Sequence, residues 1–119
     1  MKFALLVYEN SAAFAERDDP KKRTAYWSDW AIYTSAIRDA GIMLDGAGFQ
    51  PPDNGVVVQI VRGKLKVEEG PYAGTNEQLG GYYVIDVPDL DTALDWAARL
   101  PCATTGKVEV RPLLQRGPR

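Results

Sequence analysis

The sequence contains no histidine. The usual general base at neutral pH and the commonest zinc ligand are both missing, which excludes Ser-His and Cys-His nucleophilic sites and histidine-based metal centres. A single cysteine, Cys102, has no partner for an internal disulfide and forms no cysteine cluster, so no metal site is expected. It follows Pro101 with no base adjacent in sequence, and its thiol reads as inert. No apolar run approaches the ~20 residues that cross a bilayer. The formal net charge is only -2, with acids and bases interspersed, so nothing offers a basic footprint to nucleic-acid phosphates. A phosphate cradle is also missing, because Gly80-Gly81 leads into a strand and no Gly-x-Gly-x-x-Gly or Walker pattern opens a helix. No cofactor is expected. Any proton chemistry must come from Asp, Glu, Tyr, Lys or the one Cys.

What is present fits one domain, since 119 residues suffice for one hydrophobic core. The domain is read as residues 1–113, with 114–119 a mobile tail lacking pattern. Met1-Lys-Phe-Ala-Leu-Leu-Val-Tyr8 is too short for a leader core and lacks a small-residue cleavage site after it, which predicts a first strand and a cytoplasmic location.

Phe3 to Tyr8 is nearly continuously apolar, the pattern of a central strand buried on both faces. Residues 9–17 read as irregular, and Asp18-Asp19-Pro20 as the start of a helix reaching Ala40, stopped by Gly41. On this helix Trp27, Trp30, Thr34 and Ile37 recur at helical spacing, with Tyr26 and Tyr33 on a neighbouring line. Trp30 and Ile37 read as core; Tyr26, Trp27 and Tyr33 are either core or ligand-facing. Ile42-Met-Leu44 is a short strand ended by Asp45-Gly-Ala-Gly48 and the turn-forming 50–55 stretch. Val56–Val61 and Lys64–Val67 flank Arg62-Gly63 as a β-hairpin, and Leu65 and Val67 alternate with charged neighbours. Tyr82–Val87 is a strand, Asp89 caps a helix stopped by Pro101, and Lys107–Arg111 is a last strand near an edge.

Two strand-helix-strand units joined through a hairpin, with helices of ~20 and ~11 residues, predict an α+β, ferredoxin-like split βαβ sandwich. Its helices cover one sheet face. The other presents roughly 350 Å² of strand surface, close to the largest patch a monomer tolerates, so a homodimer packed sheet on sheet is expected.

The stretch Glu69-Gly-Pro-Tyr-Ala-Gly-Thr-Asn-Glu-Gln-Leu-Gly-Gly-Tyr-Tyr83 is the most distinctive. It resembles the YCII-related proteins, specifically the subgroup named for an Asp-Gly-Pro-Phe signature. Gly70, Pro71, Ala73, Thr75, Glu77, Gln78, Leu79, Gly80 and Gly81 match, whereas Glu69, Tyr72, Gly74 and Asn76 depart from the usual Asp, Phe, Glu and Lys. The resemblance continues in Met1–Tyr8, Gln50-Pro-Pro52, Val87-Pro-Asp-Leu-Asp91 and Val108–Pro112. It implies a dimeric α+β barrel, a small enzyme or ligand-binding domain, and an association with sigma factors of the extracytoplasmic-function type. The His-Asp pair carried by better-known relatives has no counterpart in a chain without histidine.

Glu69, held by the Gly70-Pro71 turn, either caps backbone N–H groups or, if burial raises its pKa, serves as the acid/base or binds a cationic group. Glu77 is a second carboxylate or a solvated loop residue. Tyr8, Tyr72, Tyr82 and Tyr83 suit a ligand pocket or a dimer seam, and Arg111 binds an anion or pairs with Glu109 or Glu69. Two functions follow: a dimeric domain that takes a small organic molecule in an aromatic-lined cleft, and a protein-interaction domain that regulates a sigma factor.

Overall fold

Burial along the first strand separates the layers. In the computed structural model, which describes residues 1–115, the strand β1 (Lys2–Asn10) buries Phe3, Leu5, Val7 and Glu9 while Ala4, Leu6, Tyr8 and Asn10 stay half-exposed. The inward set faces the helices; Ala4, Leu6 and Tyr8 line the other face, and Asn10 leads into α1. Alternation of period two is what a strand with one covered face produces.

Around β1 the chain lays down α1 (Ser11–Glu16), α2 (Arg23–Asp39), β2 (Met43–Gly48), the hairpin β3 (Val56–Val61) and β4 (Lys64–Glu69), β5 (Glu77–Asp86), α3 (Leu90–Ala98) and β6 (Lys107–Pro112). Four strands form one sheet in the order β2-β5-β1-β6, and every neighbouring pair is antiparallel. The protein is therefore α+β, and this order is compatible with a ferredoxin-like fold. The core joins Phe3, Leu5, Val7 and Ile85 of the sheet to Tyr33 and Ile37 of α2 and to Ala93 and Ala97 of α3. Each large side chain buried there contributes about 1.5–3 kcal/mol. The Tyr33 hydroxyl donates to the Trp96 carbonyl at 2.9 Å, so Tyr33 ties α2 to α3 and is not ligand-facing.

Four local expectations are corrected. Residues 11–16 form α1, because Asn10 Oδ1 accepts from the Ala13 N–H at 2.9 Å and caps a helix too short to show a period. The second helix begins at Arg23, since Asp19 instead closes a turn, its side chain accepting from Lys21 N–H at 2.8 Å. The second strand runs on to Gly48, where pairing of Gly46 with Tyr83 and of Gly48 with Gly81 overrides the turn character of Asp45–Gly48. The strand β5 starts at Glu77, five residues before the expected Tyr82, because Tyr8, Glu9 and Asn10 pair with Leu79, Gln78 and Glu77. Asp89 caps α3 as its position suggests, accepting from Thr92 N–H at 2.8 Å.

The β3-β4 hairpin stands apart as a two-stranded sheet, pairing with itself and with no other strand among the described residues. Gly63 takes φ 76° at its tip, beside Arg62 at φ 51°, the left-handed pair that a tight hairpin turn requires. Val56, Val58, Ile60, Leu65 and Val67 lie on one face by register, each more than half exposed. The predicted tail 114–119 falls mostly outside the described residues.

Candidate functional site

Strict alternation carries the inward face of β1 one step past Val7 and drives a carboxylate, Glu9, into the interior at 3% exposure. An isolated buried carboxylate is costly, so partners must surround it. Arg17, at the end of α1, places Nη2 3.4 Å from Glu9 Oε1, and the pair is buried to side-chain exposures of 9% and 3%. The Tyr26 hydroxyl of α2 sits 2.8 and 2.9 Å from the two Glu9 oxygens. Arg17 Nε donates to the same hydroxyl at 3.0 Å, Nη2 also donates to the Gly80 carbonyl at 3.3 Å, and Nη1 donates to the Phe49 carbonyl. The guanidinium carbon lies 4.8 Å from the Phe14 ring centre and 5.3 Å from that of Trp27, within cation–π range. Four of the five guanidinium N–H groups are thus committed. Burial, with Glu9 alongside, keeps the Tyr26 hydroxyl protonated well above its ordinary range, although the bond from Arg17 pulls the other way.

The Gly80-Gly81 pair serves this cluster. The register of β1 on β5 shifts between Val7 and Tyr8, leaving Gly80 as the extra residue of a bulge. A Cβ on Gly80 would stand 2.8 Å from Glu9 Oε1 and 3.2 Å from the Phe14 ring, and one on Gly81 would stand 2.8 Å from the Ala47 carbonyl oxygen. Side chains at either position would collide with the carboxylate or with β2.

Above the cluster lies a cleft of about 220 Å³ between α2 and the sheet. Tyr26, Trp27, Trp30, Thr34 and Arg38 of α2 form one wall, and Met43, the Gly46–Gly48 run, Gly80 and Gly81 supply the other. The small residues leave backbone where side chains would fill the space. Thr34 Oγ1 and the Tyr83 hydroxyl share a hydrogen bond of 2.7 Å, and burial raises the Tyr83 pKa.

The residues singled out in the sequence do not converge here. Tyr8, Tyr72 and Glu77 line a second pocket of about 590 Å³ with Pro51, Pro52 and Leu79, on the side of β1 opposite Glu9. Tyr72 is 90% exposed and Glu77 pairs with Lys107. Glu69 ends β4 exposed, lining a separate hollow with Pro71 and Tyr72 outside that pocket. Tyr82 borders the inner cleft, with its hydroxyl donating to Asp45 Oδ2 at 3.0 Å, a bond that raises its pKa. Arg111 pairs with Glu109 on β6, away from both. Cys102 is buried with its thiol pushed up to about 12, chiefly by burial, and stays protonated.

Glu9, Arg17 and Arg38 are the residues the sequence did not announce, and Thr34 stood out only as a member of the α2 stripe. A signal existed for Glu9: it continues the odd-numbered series Phe3, Leu5, Val7, and a carboxylate on a buried face demands partners. Reading the strand as apolar on both sides concealed it.

Among the described residues, no group of three or more His, Cys, Asp or Glu is gathered as metal ligands, and no helix is long and apolar enough to cross a membrane. The class so defined is a small α+β domain with helices on one side of an antiparallel sheet and a cleft between them. Its family follows from comparison: residues 1–116 match the YCII-related domain, and the chain belongs to that family. An uncharacterised protein of Rhizobium meliloti (strain 1021) is similar over 118 residues at 33% identity, covering 95% of this chain and 92% of the relative.

Proposed function

We propose that this YCII-related domain binds a small organic molecule in the cleft between α2 and the sheet. We assign it to the Asp-Gly-Pro-Phe subgroup, in the variant form Glu69-Gly70-Pro71-Tyr72. One observation carries the binding reading: a concave aromatic wall stands over a polar floor whose members, Glu9, Arg17 and Tyr26, already satisfy one another. Such a floor is rigid before a ligand arrives, and preorganised apolar pockets with few polar groups are the usual form of small-molecule sites.

The working unit in this proposal is a homodimer that covers the outer sheet face and the β3-β4 arm. A two-stranded hairpin alone is marginally stable in water, and a contiguous exposed apolar face marks a contact surface. Tyr8, Tyr72, Glu77 and Glu69 then stand at the seam, where the second pocket would be closed by the partner.

A fragment screen by ligand-observed NMR tests the cleft, with Gly48→Val as the control. A Cβ at Gly48 meets nothing within 4 Å, and its φ is not in the left-handed region, so valine fills space without straining the backbone. Fragments should bind the wild type and lose binding to Gly48→Val. No binding, or equal binding by both, overturns the reading. Sedimentation should give twice the 13.1 kDa chain mass; a stable monomer at micromolar concentration removes the dimer.

The exposed arm favours one alternative, a protein-interaction domain whose partner is a sigma factor. Val58→Lys with Leu65→Lys separates the two. Loss of self-association supports the homodimer; unchanged self-association with loss of sigma-factor binding supports the alternative.

A further inference from the structure

We infer that the ligand of the inner cleft is a small organic carboxylate, its apolar body on Trp27 and Trp30 and its charged end on Arg38 and the Thr34–Tyr83 hydroxyl pair. The inference rests on the cleft reading above and supplies its chemical class.

The charges facing the cleft are Glu9, Arg17 and Arg38. The first two neutralise each other, and Arg17 places three further N–H groups on Tyr26, Gly80 and Phe49. The Arg38 guanidinium has no hydrogen-bond or ion-pair partner among the described residues and is exposed where α2 ends. The cleft thus carries one uncompensated positive charge and no uncompensated negative one. A guanidinium forks onto a carboxylate with two parallel N–H bonds, a geometry that neutral groups do not match.

The hydroxyl pair adds a second donor. Thr34 and Tyr83 bring two hydroxyl hydrogens to one shared bond, which consumes one of them. The other is free to donate to an acceptor in the cleft. Thr34 stands one turn before Arg38 on α2, and residues four apart share a helix face. Both donors therefore address the same side of the cleft.

The remaining surface sets the body of the ligand. Trp27 keeps 49% of its surface exposed, and its indole N–H is already used on the Arg17 carbonyl at 3.2 Å. Its ring is left as a flat apolar platform. A volume of about 220 Å³ lies below the range of drug-sized pockets, about 300–1,000 Å³, and sets a metabolite-sized limit. Position in the last turn of α2 also suits Arg38 to the negative end of the helix, but that role does not distinguish a charged ligand from its neutral isostere.

The test compares benzoate, benzamide and benzylammonium by titration of the labelled protein in NMR. Benzoate should bind about tenfold or more tightly than benzamide, and benzylammonium most weakly. Arg38→Gln should weaken benzoate about 10- to 100-fold and leave benzamide within about twofold, while Arg38→Lys should restore part of the loss. Equal affinities for benzoate and benzamide, or benzoate binding indifferent to Arg38→Gln, overturn the carboxylate assignment and leave the cleft reading standing. Failure of all three probes to bind, together with a failed fragment screen, overturns both.

Discussion

The inner cleft and the outer pocket use opposite sides of β1, and they differ in what holds them. Beneath the cleft, Glu9 comes from a strand, Arg17 from the end of one helix and Tyr26 from another, joined by bonds that leave no buried side-chain polar atom unpartnered among the described residues. The outer pocket is closed by the 70–76 loop, whose Tyr72 stands 90% in solvent and whose ties across the chain lie at its two ends, Gly70 N–H donating to the Gly55 carbonyl at 2.7 Å and Ser11 Oγ to Asn76 Oδ1 at 3.3 Å, with Gln78 Nε2 donating to the Ala73 and Thr75 carbonyls at 2.6 Å between them. The inner site is finished within one chain. In the proposed dimer the outer one would be completed by a second surface, and a motif conspicuous in sequence marks the less enclosed of the two.

The contrast breaks first at Glu9. Glu9→Ala leaves the Arg17 guanidinium buried without its counter-ion and should cost about 3–5 kcal/mol in urea unfolding, a large fraction of a small domain's stability. A cost below about 1 kcal/mol would make the cluster an ordinary surface pair. Alkaline pH probes the same interior. The Cys102 thiol moves from 9.0 to about 12, and burial raises Tyr26 and Tyr33 above 10.0. The folded chain then keeps protons the unfolded chain has released, so these groups' contribution is fully present below about pH 9 and falls as pH rises through the 9–12 interval. Unfolding midpoints measured at pH 8 and pH 11 check the sign. Glycines supply a finer comparison: Gly80→Ala, crowded by Glu9 and Phe14, should cost about 1–3 kcal/mol, whereas Gly48→Ala, facing open space, should stay within about 0.5 kcal/mol. Smallest of all is Tyr72→Ala on the outer side, expected within about 0.5 kcal/mol for the single chain; a larger loss that depends on protein concentration would place this ring in the dimer contact.

Much of the architecture was legible because its signals are local. Phe3–Val7, the Arg62-Gly63 turn, the Gly41 stop and the Asp89 cap each announce themselves within a few residues. What stayed hidden depends on distant pairing. Asp45–Gly48 reads as a turn until β5 is laid beside it, and what approaches Gly80-Gly81 is not visible until Glu9 and Ala47 are brought against it. Aromatic excess on α2 did point to Tyr26 and Trp27, which line the cleft, yet nothing within twenty residues of Arg38 foretells the Tyr83 hydroxyl that it faces across 45 positions of chain. The candidate cleft is written in register and bulges, which a linear reading resolves last.

Cys102 has a practical consequence. It is the chain's single thiol, sealed to 2% exposure with Sγ 3.9 Å from the Lys107 carbonyl oxygen. A thiol reagent meets it only when the segment between α3 and β6 lifts, so labelling kinetics form a built-in clock of breathing in the core, with no engineered probe and no background from other cysteines. Run with and without a bound ligand, that clock would report whether occupancy of the cleft stills a part of the molecule that lies on the other side of Glu9.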